Sequence, residues 1–259
     1  MYQRQKLRIF LRGLMISFLM TAILPEAIAQ QISARDIVKK ADDLMRGQSS
    51  YSEVEMEIIR PSWTRTLRFK TWAKGDDFSL VYITHPPREK GQRFLKRDRE
   101  MWNYVPAIDR MIKIPPSMMT QSWMGSDLTN DDLVNAASIV TDYDHELLRS
   151  EMHRGRECYV IKMVPHEDAP VVWGKVLCWI SMDGFLNLRN EYYDEAGELV
   201  NEEILDEIED VGDRTIPTRY TMIPADKEGH KTIMKFQEIE FGVEIEDRFF
   251  SIQNMKQMR

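Results

Sequence analysis

Cysteine is nearly absent from this chain, with Cys158 and Cys178 the only two in 259 residues. No framework of disulfides can therefore hold the fold, which must rest on a hydrophobic core. Long apolar runs are equally scarce. The one candidate, Gly13 to Leu24, has twelve residues where a spanning helix needs about 20, and no other segment could cross a bilayer as a helix. Positive charge is in deficit, since 35 Lys and Arg face 42 Asp and Glu for a net charge of −7, and no long basic block occurs. That excludes nucleic acid as an expected partner, because phosphates demand basic surfaces.

Catalytic signatures are missing as well. There is no GxSxG elbow, no HExxH pair and no Gly-rich phosphate loop. His85, His145, His153, His166 and His230 stand singly in different segments without metal-ligand spacing. Asp127, Thr129 and Asp131 open like a calcium loop, but Asp132 stands where the loop needs glycine and Ser138 where it needs glutamate. Acidic pairs such as Glu202 and Glu203 are common in so acidic a chain and single out no acid and base. The expectation is a protein that is not an enzyme and uses no cofactor or metal.

What is present begins at the N-terminus. Arg4, Lys6, Arg8 and Arg12 precede the apolar run, and Ala27-Ile28-Ala29 follows it, the three regions of a secretory signal peptide over 1–29. Cleavage after Ala29 is expected; the alternative is an uncleaved anchor. A lipoprotein would carry a cysteine immediately after the cleavage point, but Gln30 stands there and the first cysteine is Cys158, so a lipoprotein N-terminus is not expected. Losing four basic residues and one acidic residue takes the net charge from −7 to −10 over the expected mature domain, residues 30–259.

Periodicity then indicates antiparallel sheet. Ser33 to Arg46 reads as a capped helix ended by Gly47, and Asp131 to Thr141 as a second helix capped by Thr129 or Asn130. Period-two patterns dominate elsewhere, as in Val54, Met56 and Ile58 or Leu67, Phe69 and Thr71. Further runs include Phe78 to Thr84, Glu146 to Met152, Leu199 to Ile208 and Thr232 to Phe241. Roughly eleven strands imply a sheet that must curl and whose concave apolar face must be filled by a helix or by a ligand. Cys158 to Val164 and Val171 to Ile180 flank a turn-like segment centred near residue 168, which would set Cys158 opposite Cys178. A cross-strand disulfide or two buried thiols fit that arrangement.

The segment from Trp102 to Leu133 concentrates aromatic and methionine side chains among prolines and glycine. Adaptable methionines suit either a cap on the core or a contact surface for a greasy ligand. Residues 84–133 combine a Pro-x-x-x-x-Gly before a Phe-Leu strand, a Trp-x-Tyr-x-Pro strand, and Ser122-Trp123-Met124-Gly125-Ser126-Asp127 before Asp131-Asp132-Leu133. With Arg189 to Asp194 and Phe249-Phe250-Ser251, this combination resembles the outer-membrane lipoprotein-sorting (LolA-like) family of exported proteins across essentially the whole mature chain.

The resemblance implies a mainly β fold: a strongly curved antiparallel half-barrel closed by helical lid elements over an apolar cavity that holds acyl chains. It implies a periplasmic carrier or accessory factor moving lipid or lipoprotein toward the outer membrane beside an inner-membrane exporter of the RND (resistance-nodulation-division) or ABC type. On that basis Met56, Ile58, Leu67, Phe69, Phe94, Trp102 and Tyr104 are expected to line the cavity, and Met118, Met119, Trp123 and Met124 to form the lid. The family's cavity arginine has no clear counterpart, since the matching strand end reads Ala73-Lys74-Gly75. The alternative function is an interaction or regulatory module of such a transporter, with the interior serving only as core.

Overall fold

Ser33 starts the first helix, α1 (Ala34–Arg46), by accepting a hydrogen bond from the Asp36 amide at 3.0 Å, and Gly47 ends it at φ 63°. A glycine suits that left-handed position because it has no Cβ to clash. The computed structural model describes residues 32–134, 138–169 and 171–258. The leader and its expected cleavage point lie outside the described residues. Among the described residues, no helix is long and apolar enough to cross a membrane.

Thirteen strands follow among the described residues, where about eleven were expected. They are β1 (Ser49–Arg60), β2 (Trp63–Lys74), β3 (Phe78–His85), β4 (Arg93–Arg97), β5 (Glu100–Val105), β6 (Arg110–Ile114), β7 (Tyr143–His153), β8 (Arg156–Pro165), β9 (Lys175–Ser181), β10 (Asn187–Tyr193), β11 (Leu199–Val211), β12 (Arg214–Pro224) and β13 (Lys231–Phe241). All join one antiparallel sheet in the order β6-β5-β4-β3-β2-β1-β13-β12-β11-β10-β9-β8-β7. The chain therefore steps outward from β1 to β6, crosses to the opposite edge at β7, and walks back until β13 pairs with β1.

A flat sheet of this order would hold β5 and β7 about 50 Å apart, at about 4.8 Å per strand. Yet Arg99, in the turn between β4 and β5, meets Asp142, the residue before β7, at 3.1 Å. The sheet must curl to bring them together. It does not close, because β6 and β7 remain unpaired edges.

Register identifies the inner face. Residues directly opposite across a ladder point the same way, and the pairs Val81–Phe94, Phe69–Ile83, Val54–Phe69, Met56–Met234, Tyr220–Met234 and Leu205–Tyr220 trace a single apolar row. The row continues through Asn190–Glu203, Cys178–Asn190 and Ile161–Cys178 to the far side. On the outer face, Phe250 and Met255 pack on Leu80, Leu95 and Tyr104, with Trp72 and Trp102 beside them. Met255 belongs to a third helix, α3 (Ile252–Gln257), which the sequence reading did not anticipate; Ser251 caps it by accepting from the Asn254 amide.

Two expectations are corrected by register. Trp102 and Tyr104 lie on the outer face: Phe94 faces inward opposite Asn103, and the even-numbered residues of β5 therefore point away from it. The cysteines do not face each other. Cys158 lies opposite Ser181, and Cys178 opposite Ile161, a shift of three residues from the expected pairing. An odd shift inverts the face, so Cys158 packs with Trp179 outside and Cys178 inside; both are buried free thiols. The cause is a longer connection. β9 starts at Lys175, after Gly174 has turned to donate its amide to the Tyr193 carbonyl, so Val171 to Gly174 never joins the ladder.

Candidate functional site

The segment linking β6 to β7 runs between opposite edges of the sheet, and among its described residues Trp123, Leu128 and Leu133 pack on the inner face. Within it, Thr129 and Asp132 form a reciprocal cap for a short helix, α2 (Asn130–Val134): the Thr129 amide donates to Asp132 Oδ2 at 2.7 Å and the Asp132 amide to Thr129 Oγ1 at 3.1 Å. One turn of 3-10 helix occurs at Pro116–Met118 and another at Ser138–Val140. Residues 135–137, in the middle of the second expected helix, lie outside the described residues. Among its described residues the crossing segment is mostly irregular, a strap with these short helical turns.

Its tip explains the Ser-Trp-Met-Gly-Ser-Asp motif physically. The Trp123 amide donates to the Leu128 carbonyl at 2.7 Å, and Ser126 Oγ donates to the Trp123 carbonyl at 2.7 Å. Met124 at φ 54° and Gly125 at φ 79° make the reversal. Trp123 thereby plunges into the inner face, where Phe69 and Phe94 meet it edge-on at ring-centroid distances of 5.6 and 5.4 Å. Met118, Met119 and Met124 pack on the same cluster, which also contains Met56, Ile58, Leu67, Phe69 and Phe94. The structure thus brings together five of the seven expected cavity residues and all four lid residues, but Trp123 fills the space between them.

Two arginines hold the tip, and the sequence reading missed both. Arg60, at the end of β1, pairs with Asp127 at 2.9 Å and donates to the Gly125 carbonyl at 2.9 Å. Arg65, on β2, donates to the Met124 carbonyl at 3.2 Å. The carboxylate is further held by Thr232 of β13, whose Oγ1 donates to Asp127 Oδ2 at 2.7 Å. Their signal was two arginines flanking the β1–β2 turn, which only the folded hairpin carries to the strap.

The open space lies beside this plug. A cleft of about 320 Å³ runs between α1, the strap and strands β8 to β13. Val38, Ala41 and Met45 of α1 form one wall, Leu128 and Leu133 of the strap another, and Met163, Val176, Cys178, Leu205, Met222 and Met234 the floor. None of the seven residues expected to line a cavity borders this cleft. Periodicity marked the inward positions of the first half of the sheet, whereas the cleft sits over the second half.

Polar groups cluster at one point of this apolar surface. Glu203, on β11, is 9% exposed, and its Oε2 accepts from Asn190 Nδ2 at 2.8 Å and Tyr192 Oη at 2.9 Å. Nearby, Asp132 Oδ1 accepts from Trp173 Nε1 at 3.2 Å, while its Oδ2 accepts from Thr129. Burial pushes the Glu203 carboxyl above the usual carboxylate range; the two donors oppose this, while the Asp132 charge adds to it. Burial raises Asp132 too, against its own donors. Burial pushes Cys178 up to about 12 against an opposing hydrogen bond from the Ile161 backbone, which leaves the thiol inert as a nucleophile. Among the described residues no group of three His, Cys, Asp or Glu could hold a metal.

A family model described only as an uncharacterized protein matches residues 75–257. Among curated protein sequences, none matches the chain. Solved structures do. A DUF1329 family protein from Desulfovibrio piger is 28% identical, with a TM-score of 0.79, over 86% of this chain and 97% of that one. A LolA superfamily protein from Nitrosomonas europaea is 25% identical with a TM-score of 0.75, over 86% and 99%. A putative outer membrane lipoprotein-sorting protein domain from Vibrio parahaemolyticus is 20% identical with a TM-score of 0.76, over 86% and 98%, a likeness of fold.

Proposed function

The chain belongs to the family whose model spans residues 75–257 and is LolA-like, and from that premise we propose that it is a periplasmic carrier. Its cargo is the acyl portion of a lipid or lipoprotein, held in the cleft between α1 and the strap, and its partner is an inner-membrane transporter. The observation that carries this reading is the cleft itself: about 320 Å³, lined mainly by apolar side chains, on the inner face of a curled sheet. Ligand sites are commonly concave, mostly apolar and of about 300–1,000 Å³, so this one sits at the small end.

Acyl burial supplies the affinity without any chemical step. Each buried methylene contributes roughly 0.8 kcal/mol, so even a chain of about ten carbons gains about 8 kcal/mol before the ordering costs of binding. Release then requires an apolar acceptor or a strap that closes over an empty cleft. Nothing in this scheme uses a nucleophile or a metal.

The test is native mass spectrometry with lipid extraction on protein purified after export without harsh detergent. Lipid bound at a defined stoichiometry is the expected result. Protein that arrives empty and refuses added lipid would refute the carrier and favour the transporter-binding module.

A further inference from the structure

The second oxygen of Glu203 is an acceptor left open on the cleft wall. Oε2 takes both hydrogen bonds that the carboxyl receives, from Asn190 and Tyr192, and among the described residues no donor reaches Oε1. The side chain is nevertheless nine-tenths buried and borders the cleft. Oε1 is not sealed inside the protein but open to the cleft, where a bound group that donates a hydrogen bond would reach it. Asn190 and Tyr192 occupy only Oε2, and the neighbours across the ladders, Asn190 and Met222, are neutral, so neither brings a cation to balance the carboxyl.

The surroundings define what would complete it. Asp42, Asp131 and Asp132 also line the cleft; Asp42 is paired with Arg46, and the oxygens of Asp132 are already supplied by Thr129 and Trp173. The one arginine on the wall, Arg46, is held by Asp42 at 2.7 Å and Asp76 at 3.3 Å. An anionic head entering the cleft would face these carboxyls and, among the described residues of the wall, no free cation to receive it. A head that donates hydrogen bonds would find an open acceptor at Glu203 Oε1. At the small end of ligand sites, the cleft suits one chain better than several.

We propose that the cleft selects a single-chain amphiphile whose head donates hydrogen bonds and carries no negative charge, with Glu203 as the residue that reads that head. The inference rests on the carrier reading and deepens it, naming the chemistry of the cargo. A protonated amine and a hydroxyl share this chemistry. The amine gains a charge-assisted bond where Glu203 is ionised; the hydroxyl serves either protonation state.

The experiment compares three probes of equal chain length, 1-dodecylamine, 1-dodecanol and dodecanoate, each below its aggregation threshold. Their dissociation constants are measured by isothermal titration at neutral pH on the exported protein and on Glu203→Gln, which preserves the side chain's shape. The wild-type protein should favour the better of the amine and the alcohol over dodecanoate by about ten- to hundredfold, the range one charge-assisted hydrogen bond supplies. Glu203→Gln should shrink that ratio to about threefold or less while retaining affinity for the shared chain. An amine ahead of the alcohol would identify a cationic head, and the reverse a neutral one. Equal binding of all three, or a ratio that survives in Glu203→Gln, would overturn the selectivity while leaving the carrier intact. No binding of any probe would overturn both.

Discussion

Replacing Arg60 with methionine removes the guanidinium that ties the strap tip to β1. Arg60 and Asp127 are 10% and 6% exposed in their side chains, so both charges are withdrawn from water and their pairing is only weakly screened by salt. Removing one partner of a buried pair costs about 3–5 kcal/mol, because the other charge is left uncompensated. Asp127 would keep the Thr232 hydroxyl at 2.7 Å, which places the loss near the lower end, at about 3 kcal/mol. In a domain of this size that lowers Tm by about 6–12 °C. Asp127→Asn should cost less, and the double substitution less than the sum of the two, since the second change removes the charge stranded by the first. Calorimetric melts of the four proteins, repeated at high salt, measure the cycle. A Tm within about 2 °C of wild type for Arg60→Met, or strictly additive losses, would refute the buried latch.

Two further outcomes are expected. Trp123→Ala should destabilise by about 3–5 kcal/mol, because it empties the space between Phe69 and Phe94; denaturant unfolding that moved by less than about 1 kcal/mol would show that Trp123 is not core. Lys96 is pushed down to about 8, first by burial and then by the Arg46 cation, from an ordinary value of 10.5. Between those values the unfolded chain binds more protons than the native one, so this lysine makes stability rise with pH from about 8 to about 10. Lys96→Met should remove that rise, seen as the difference between the two Tm profiles over pH 7–10. Parallel profiles would refute it.

Much of the fold was legible because it depends on local pattern. The β1 positions Val54, Met56 and Ile58 alternate with acids, and all three are buried on the inner face. Ser33 and Gly47 bounded α1 through cap chemistry confined to one turn at each end. Helix α3 escaped notice because it is only six residues long and held by Phe250 and Met255 on a distant face. The site was harder to read. The motif at Ser122 to Asp127 marked the strap, but whether Trp123 covers a cavity or fills it depends on Phe69 and Phe94, contributed by separate strands.

Glu203 shows the same division. In the sequence it is one acid beside another, and period two says only that Glu202 and Glu203 point to opposite faces. Which of them faces the cleft, and that Asn190 and Tyr192 converge on it, follows from the ladder between β10 and β11. The amino-acid sequence by itself determined most of the strands, the caps of α1, the curling of the sheet and the family resemblance, because alternation and capping act over a few residues. The tertiary structure alone decided the face on which each cysteine lies, the arginines that hold the strap and the half of the sheet left open. Those depend on register between strands, where a shift of a single residue turns every side chain to the other face.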